Sequence, residues 1–150
     1  VVLDLLIDIR GADVWAKVKG QRPPSEIVVR GTGKQFNWEF TYPGPDRKFG
    51  TEDDLTTDNE LHVPVGKVIH VLLSSKDVIH SFFLPHFRLK QDAVPGRQIP
   101  VWFEATKTGE FEIPCAELCG FGHSGMNGKV FVHSAADYQK WLSEKWPVNK

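Results

Sequence analysis

Apolar residues along this chain fall into short runs separated by turn-forming residues. Seven runs read as β-strands: Glu26 to Arg30, Gln35 to Tyr42, Lys67 to Ser74, His80 to Leu84, Gln98 to Ala105, Gly109 to Ile113 and Lys129 to His133. Val68-Ile69-His70-Val71-Leu72 and Val101-Trp102-Phe103-Glu104-Ala105 alternate most clearly, as strands with one buried face do. Other runs are too continuously apolar to fix the buried face, so the architecture is better defined than the register. The spacing predicts an all-β sandwich or barrel. Near the end of the chain, Ser134 precedes Ala135-Ala136-Asp137, and Tyr138, Trp141 and Leu142 follow at helical intervals. This pattern predicts one short closing helix with Ser134 as its N-cap. Between Tyr42 and Leu61 the chain turns polar, with Pro43-Gly44-Pro45-Asp46 and Gly50-Thr51-Glu52-Asp53-Asp54, and reads as an excursion from the sheet.

The apolar stretch Val1 to Ile9 is interrupted by Asp4 and Asp8 and falls well short of the roughly 20 residues that a bilayer span needs. It has neither the basic start nor the small-residue cleavage pattern of a signal peptide. It reads as the remnant of a membrane helix or as an amphipathic surface helix. With 150 residues the chain fits one domain. Its 18 basic and 19 acidic residues leave a formal net charge of -1, so no strong field favours a nucleic-acid partner.

Two cysteines, Cys115 and Cys119, are the chain's full complement, which points to a site rather than a disulfide framework. They open the segment Cys115-Ala116-Glu117-Leu118-Cys119-Gly120-Phe121-Gly122-His123-Ser124-Gly125-Met126. Two thiols, an imidazole and a thioether so concentrated point to copper, zinc or iron–sulfur. Glycines at 120, 122, 125 and 128 argue for a loop that folds back on itself. A mononuclear blue-copper site uses one cysteine, two histidines and a weak axial methionine, so the second cysteine points to two coppers bridged by two thiolates. Each copper then needs one histidine, and His80 and His86 are candidates for the second. A structural zinc on Cys115, Cys119, His123 and another histidine leaves Met126 without a role. A Cys115–Cys119 disulfide closes a ring so small that it would stabilise little through chain entropy.

These residues resemble the binuclear copper (CuA) domain of cytochrome c oxidase subunit II, whose motif is Cys-x-Glu-x-Cys-x-x-x-His-x-x-Met. Cys115, Glu117, Cys119, His123 and Met126 match it in full. Upstream, Asp77-Val78-Ile79-His80-Ser81-Phe82 looks like the family's strand bearing the first histidine. The stretch Leu89-Lys90-Gln91-Asp92-Ala93-Val94-Pro95-Gly96-Arg97 follows as in subunit II. The resemblance implies a cupredoxin, a Greek-key β-barrel. It makes His80 and His123 the terminal imidazole ligands, Cys115 and Cys119 the bridges, Met126 a weak ligand of one copper and Glu117 a backbone-carbonyl ligand of the other. In the family the side chain of that glutamate also faces the catalytic subunit and helps hold magnesium.

The same resemblance implies an electron-transfer role, from cytochrome c or a similar donor to heme in subunit I, on the outer face of a bacterial cytoplasmic membrane. Two membrane helices normally precede this domain in the family, so residues 1–19 read as an N-terminal segment continuing from the second helix, and residues 20–150 as the copper domain. His86 becomes a bystander. His62, His70, His133, Trp102, Trp141 and Trp146 read as packing, surface or interface residues. Nitrous oxide reductase carries a similar copper motif, but typically with an aromatic residue where Glu117 stands. The family's Gln-Trp-x-Trp stretch, whose first tryptophan is taken as the point where electrons enter, is Gln35-Phe36-Asn37-Trp38 here. If electrons enter through this patch, Phe36 and Trp38 should lie under the donor's docking surface. The acidic excursion, with Asp46, Glu52, Asp53 and Asp54, is open to three readings: a solvated loop, a docking patch or a calcium site.

Overall fold

A computed structural model describes residues 1–146. Two layers of strand enclose one apolar core. The first is a five-stranded sheet in the order β3-β2-β1-β5-β8, built from β1 (Ile27–Lys34), β2 (Asn37–Tyr42), β3 (Leu55–Asp58), β5 (Val68–Ser75) and β8 (Ile99–Glu104). β1 and β5 run parallel, and the other neighbours are antiparallel. The second layer contains β4 (Glu60–Pro64), β10 (Asn127–His133) and β9 (Gly109–Pro114), with β4 and β10 parallel. A ladder of β6 (His80–Leu84) and β7 (Leu89–Ala93) extends it. The join is made by a bridge between Phe82 and Cys115 and by the Ala116 N–H donating to the Ser81 carbonyl at 3.0 Å. That join carries the first cysteine onto the strand that begins with His80.

The period-two pattern sorts the side chains. Trp38, Phe40 and Tyr42 of β2 point inward, as do Ile69, Val71 and Leu73 of β5 and Val130 and Val132 of β10. Helix α2 (Ala135–Lys145) closes one end. The Ser134 Oγ accepts the Asp137 N–H at 3.1 Å, the expected N-cap, and Tyr138 and Trp141 are buried against the sheets. Trp146 donates its indole N–H to the Asp53 carbonyl at 2.6 Å, tying the polar excursion to that end.

Three strands lie outside the sequence expectation. β3 is a polar edge strand and β7 alternates with polar residues on its outer face, so neither forms an apolar run, while β4 starts at Glu60 inside the end of the polar excursion and stops at Pro64. β1 also runs on through Gly31-Thr32-Gly33, a stretch too glycine-rich to read as strand. The N-terminal stretch forms helix α1 (Val2–Trp15), whose apolar residues lie on all sides, and none of its side chains is buried. It therefore lacks the one-sided stripe of an amphipathic surface helix. No helix among the described residues is long and apolar enough to cross a membrane. A wider turn, Ala16–Gly20, follows. The Trp102 indole donates to the Val18 carbonyl at 2.9 Å and the Lys19 ammonium to Gln91 at 3.0 Å, linking this turn to the sheets.

Candidate metal centre

His80 opens β6 and is completely buried. Its Nε2 lies 2.8 Å from Asp77 Oδ1, so the Nε2–H donates to the carboxylate and Nδ1 keeps its lone pair for the interior. Nδ1 lies 3.9 Å from the Cys115 Sγ. Asp77 also accepts the backbone N–H groups of Gln35 and Val78, each at 2.7 Å. Burial pushes its carboxyl pKa up, but the bonds from His80 and the two amides outweigh that and bring it down to about 2. Asp77 is thus a carboxylate at neutral pH and favours the tautomer that turns Nδ1 toward sulfur. The ring leans on Gly33, where an added Cβ would come within 2.8 Å of it. Trp38 meets it edge-on with centroids 6.0 Å apart.

The cysteine loop folds over this histidine. Cys115 follows β9, and its N–H donates to the Met126 carbonyl at 3.0 Å, closing the loop at its neck. A single turn of 3₁₀ helix, His123–Gly125, brings the chain back. The two sulfurs lie 3.9 Å apart as free thiols, well beyond the roughly 2.05 Å of a disulfide. Cys119 Sγ is 3.6 Å from His123 Nδ1 and 3.7 Å from Met126 Sδ, while Cys115 Sγ is 3.2 Å from the Glu117 carbonyl. The ligand atoms of His80, Cys115 and Cys119 all lie within 4.8 Å of one another.

The fold therefore gathers donor atoms of all six residues singled out by the sequence: His80, Cys115, Glu117, Cys119, His123 and Met126. The donor set is soft and composed of S, N and one carbonyl O, which fits copper and not a hard cation; His80, Cys115, Cys119 and Met126 are buried, while His123 is half-buried and Glu117 exposed. Burial and the neighbouring Cys115 raise the Cys119 pKa to about 11, so a metal must displace the thiol proton on binding.

Other sequence candidates lie elsewhere. His86 is exposed on the turn Pro85–Phe87 and rests against Phe111, with centroids 5.3 Å apart. Trp38 is wholly buried, so it cannot touch a docked donor, whereas Phe36 is half-buried at the surface. In the acidic excursion, Asp46, Asp53 and Asp54 accept backbone N–H groups from Lys48, Asp46 and Gly50, so these carboxylates cap their own loop. The sequence reading missed the role of Asp77, although its place three residues before His80 was visible, and it missed Gln35, whose side chain bonds Cys119.

A β-sandwich that wraps one end around two thiols, two imidazoles and a thioether defines a cupredoxin-like metal domain with one thiolate more than a mononuclear copper site uses. The chain belongs to the family described as cytochrome c oxidase subunit II, periplasmic domain, which matches residues 27–133. Cytochrome c oxidase subunit 2 of Thermostichus vulcanus is 46% identical over 132 residues, covering 87% of this chain and 36% of its own. The alternative cytochrome c oxidase subunit 2 of Bradyrhizobium diazoefficiens is 37% identical over 145 residues, covering 82% and 52%. The chain thus spans about a third to a half of these relatives. The crystal structure of the periplasmic domain of subunit II of cytochrome oxidase from Bradyrhizobium japonicum superposes with a TM-score of 0.74 at 36% identity, covering 85% of this chain and 98% of that one. Subunit II of cytochrome c oxidase in a mixed disulfide with a thioredoxin-like protein superposes with a TM-score of 0.67 at 36% identity, covering 83% and 94%.

Proposed function

We propose that this domain binds two coppers in one centre and serves as the electron-accepting module of a heme–copper oxidase, taking single electrons from cytochrome c or a similar donor for heme in subunit I. The observation that carries this reading is the convergence of His80, Cys115, Cys119, His123, Met126 and the Glu117 carbonyl around a pair of sulfurs 3.9 Å apart. Cys115 and Cys119 would bridge, His80 and His123 would each ligate through Nδ1, and Met126 and the Glu117 carbonyl would be weaker ligands. When bound, the copper pair supplies a one-electron couple.

The protein's own part is to hold the ligands still, since a donor set that does not move between oxidation states lowers the reorganisation that electron transfer requires. Asp77 fixes one imidazole, the Cys115–Met126 backbone bond closes the loop, and Trp38, Phe82 and the buried Met126 exclude water. Leu118 and Phe121 are exposed beside the cysteines, and Val78 and Ile79 beside His80, giving the centre an apolar rim on which a partner can dock. Glu117 is also exposed in this rim, as a residue helping to hold magnesium against a catalytic subunit must be. Residues 1–19 would continue from a membrane helix, placing the domain, residues 20–150, on the periplasmic side as part of a membrane complex. The related subunit II trapped with a thioredoxin-like protein supports a parallel need here, because Cys115 and Cys119 must be thiols before metal can bind.

The test is a copper titration of the reduced chain in parallel with its His80→Ala and His86→Ala variants. Two equivalents with wild type and His86→Ala, and failure with His80→Ala, is the expected result. One equivalent of a colourless metal such as zinc would favour a structural site instead.

A further inference from the structure

The turn between β1 and β2 reaches across the molecule to the cysteine loop. Gln35 donates its carboxamide N–H to the Cys119 carbonyl at 2.6 Å, and its backbone N–H to Asp77 at 2.7 Å. Asp77 in turn holds His80 at 2.8 Å. One residue therefore ties together the carboxylate that orients the histidine and the peptide that carries the second cysteine.

The loop is built to admit this contact. Gly120 has φ +132°, a conformation side chains rarely adopt, and a Cβ there would lie 2.7 Å from the Gln35 Nε2. A Cβ on Gly122 would lie 2.5 Å from the ring of Phe36. These glycines thus serve more than loop flexibility, since they clear space for two consecutive side chains of the opposite turn. The turn is itself anchored, because Glu39 of β2 pairs with Lys34 of β1 and with Lys76 beside Asp77.

We propose that Gln35 is a positioning residue for the metal centre: its carboxamide holds the Cys119 peptide, and so the second sulfur, in place before metal arrives. This rests on the function proposed above but concerns the metal-free loop, so it is testable separately. With the clasp intact, both thiols stay buried, and opening the loop exposes them.

The experiment labels the reduced, metal-free chain with a chromogenic aromatic disulfide that reacts with exposed thiols. It compares wild type, Gln35→Leu, which removes the donor but keeps much of the bulk, and Gln35→Lys, which restores an N–H donor. Thermal unfolding of each variant confirms that it is folded. Gln35→Leu should label roughly two- to tenfold faster, the span expected for one lost hydrogen bond, and Gln35→Lys should return toward the wild-type rate. The copper-loaded forms are then compared by reduction potential and electron paramagnetic resonance, with Gln35→Leu expected to shift the potential or perturb the hyperfine pattern. Equal labelling rates in wild type and Gln35→Leu would overturn the proposal, as would equal acceleration in both variants, which would assign the effect to packing. If wild type failed to take two coppers while labelling still followed the donor, the binuclear reading would fall and the positioning role of Gln35 would stand.

Discussion

Two histidines are buried at separate places in this sandwich, and they differ in what their ring nitrogens face. His80 gives Nε2 to Asp77 and directs Nδ1 at Cys115. His62 has both nitrogens engaged by protein, Nδ1 with His133 Nε2 at 2.8 Å and Nε2 with Glu60 at 3.4 Å. Its ring is stacked between aromatic neighbours, with centroids 4.8 Å from Phe131 and 4.6 Å from Trp141. One imidazole is held by a carboxylate and left with a lone pair facing sulfur, while the other is a packing element with a closed hydrogen-bond account. What marks His80 as a candidate ligand is what its second nitrogen faces, not its burial, which His62 shares.

The two should part most widely on substitution by alanine. His80→Ala should abolish binuclear copper binding, measured by metal content and the optical spectrum. His62→Ala should keep the copper site but lose about 2–4 kcal/mol of stability in denaturant titration, from the lost stack and the unpaired His133.

Gly33 sharpens the contrast from the backbone side, because it touches His80 and not His62. Gly33→Ala should push the His80 ring, weakening copper binding and destabilising the fold by about 1–3 kcal/mol. Competition against a copper chelator and thermal unfolding read the two effects.

Acid acts on the His62 side of the comparison. Burial lowers the pKa of His62, with Glu60 opposing it, and burial also lowers that of His133, both from an ordinary 6.5. Below about pH 6.5 the unfolded chain therefore binds more protons than the folded one, so stability falls as pH drops from there toward the folded values. Denaturant midpoints at decreasing pH should show this loss, and His62→Phe should reduce it.

The smallest effect belongs to the thioether. Met126 is buried 3.7 Å from Cys119 Sγ, and Met126→Leu nearly conserves volume. It should change stability by less than about 1.5 kcal/mol and retain both coppers, while shifting the reduction potential of the loaded protein.

Five of the six candidate donors were legible together because they lie within the twelve residues from Cys115 to Met126, and the fold brings His80, 35 residues before Cys115, up to them. The capped closing helix was legible from Ser134 and its apolar spacing. Contacts made across the fold were less visible. Nothing local to Gln35 announces that it reaches Cys119, and nothing local to Gly33 announces that His80 lies against it. The sequence placed Trp38 with Phe36 under a donor's docking surface; strand alternation turns Trp38 inward with Phe40 and Tyr42, while Phe36 stays in the turn at the surface. The strands β3 and β7 escaped because a polar edge or outer face leaves no apolar run to detect.

The central claim is that the two cysteine sulfurs, 3.9 Å apart as free thiols, would bridge two coppers as thiolates once metal binds. Electron paramagnetic resonance of the oxidised, copper-loaded chain tests it most directly. One unpaired electron shared equally by two copper nuclei, with two coppers per chain by metal analysis, is the predicted result, and a spectrum of a single isolated copper at one equivalent would contradict it.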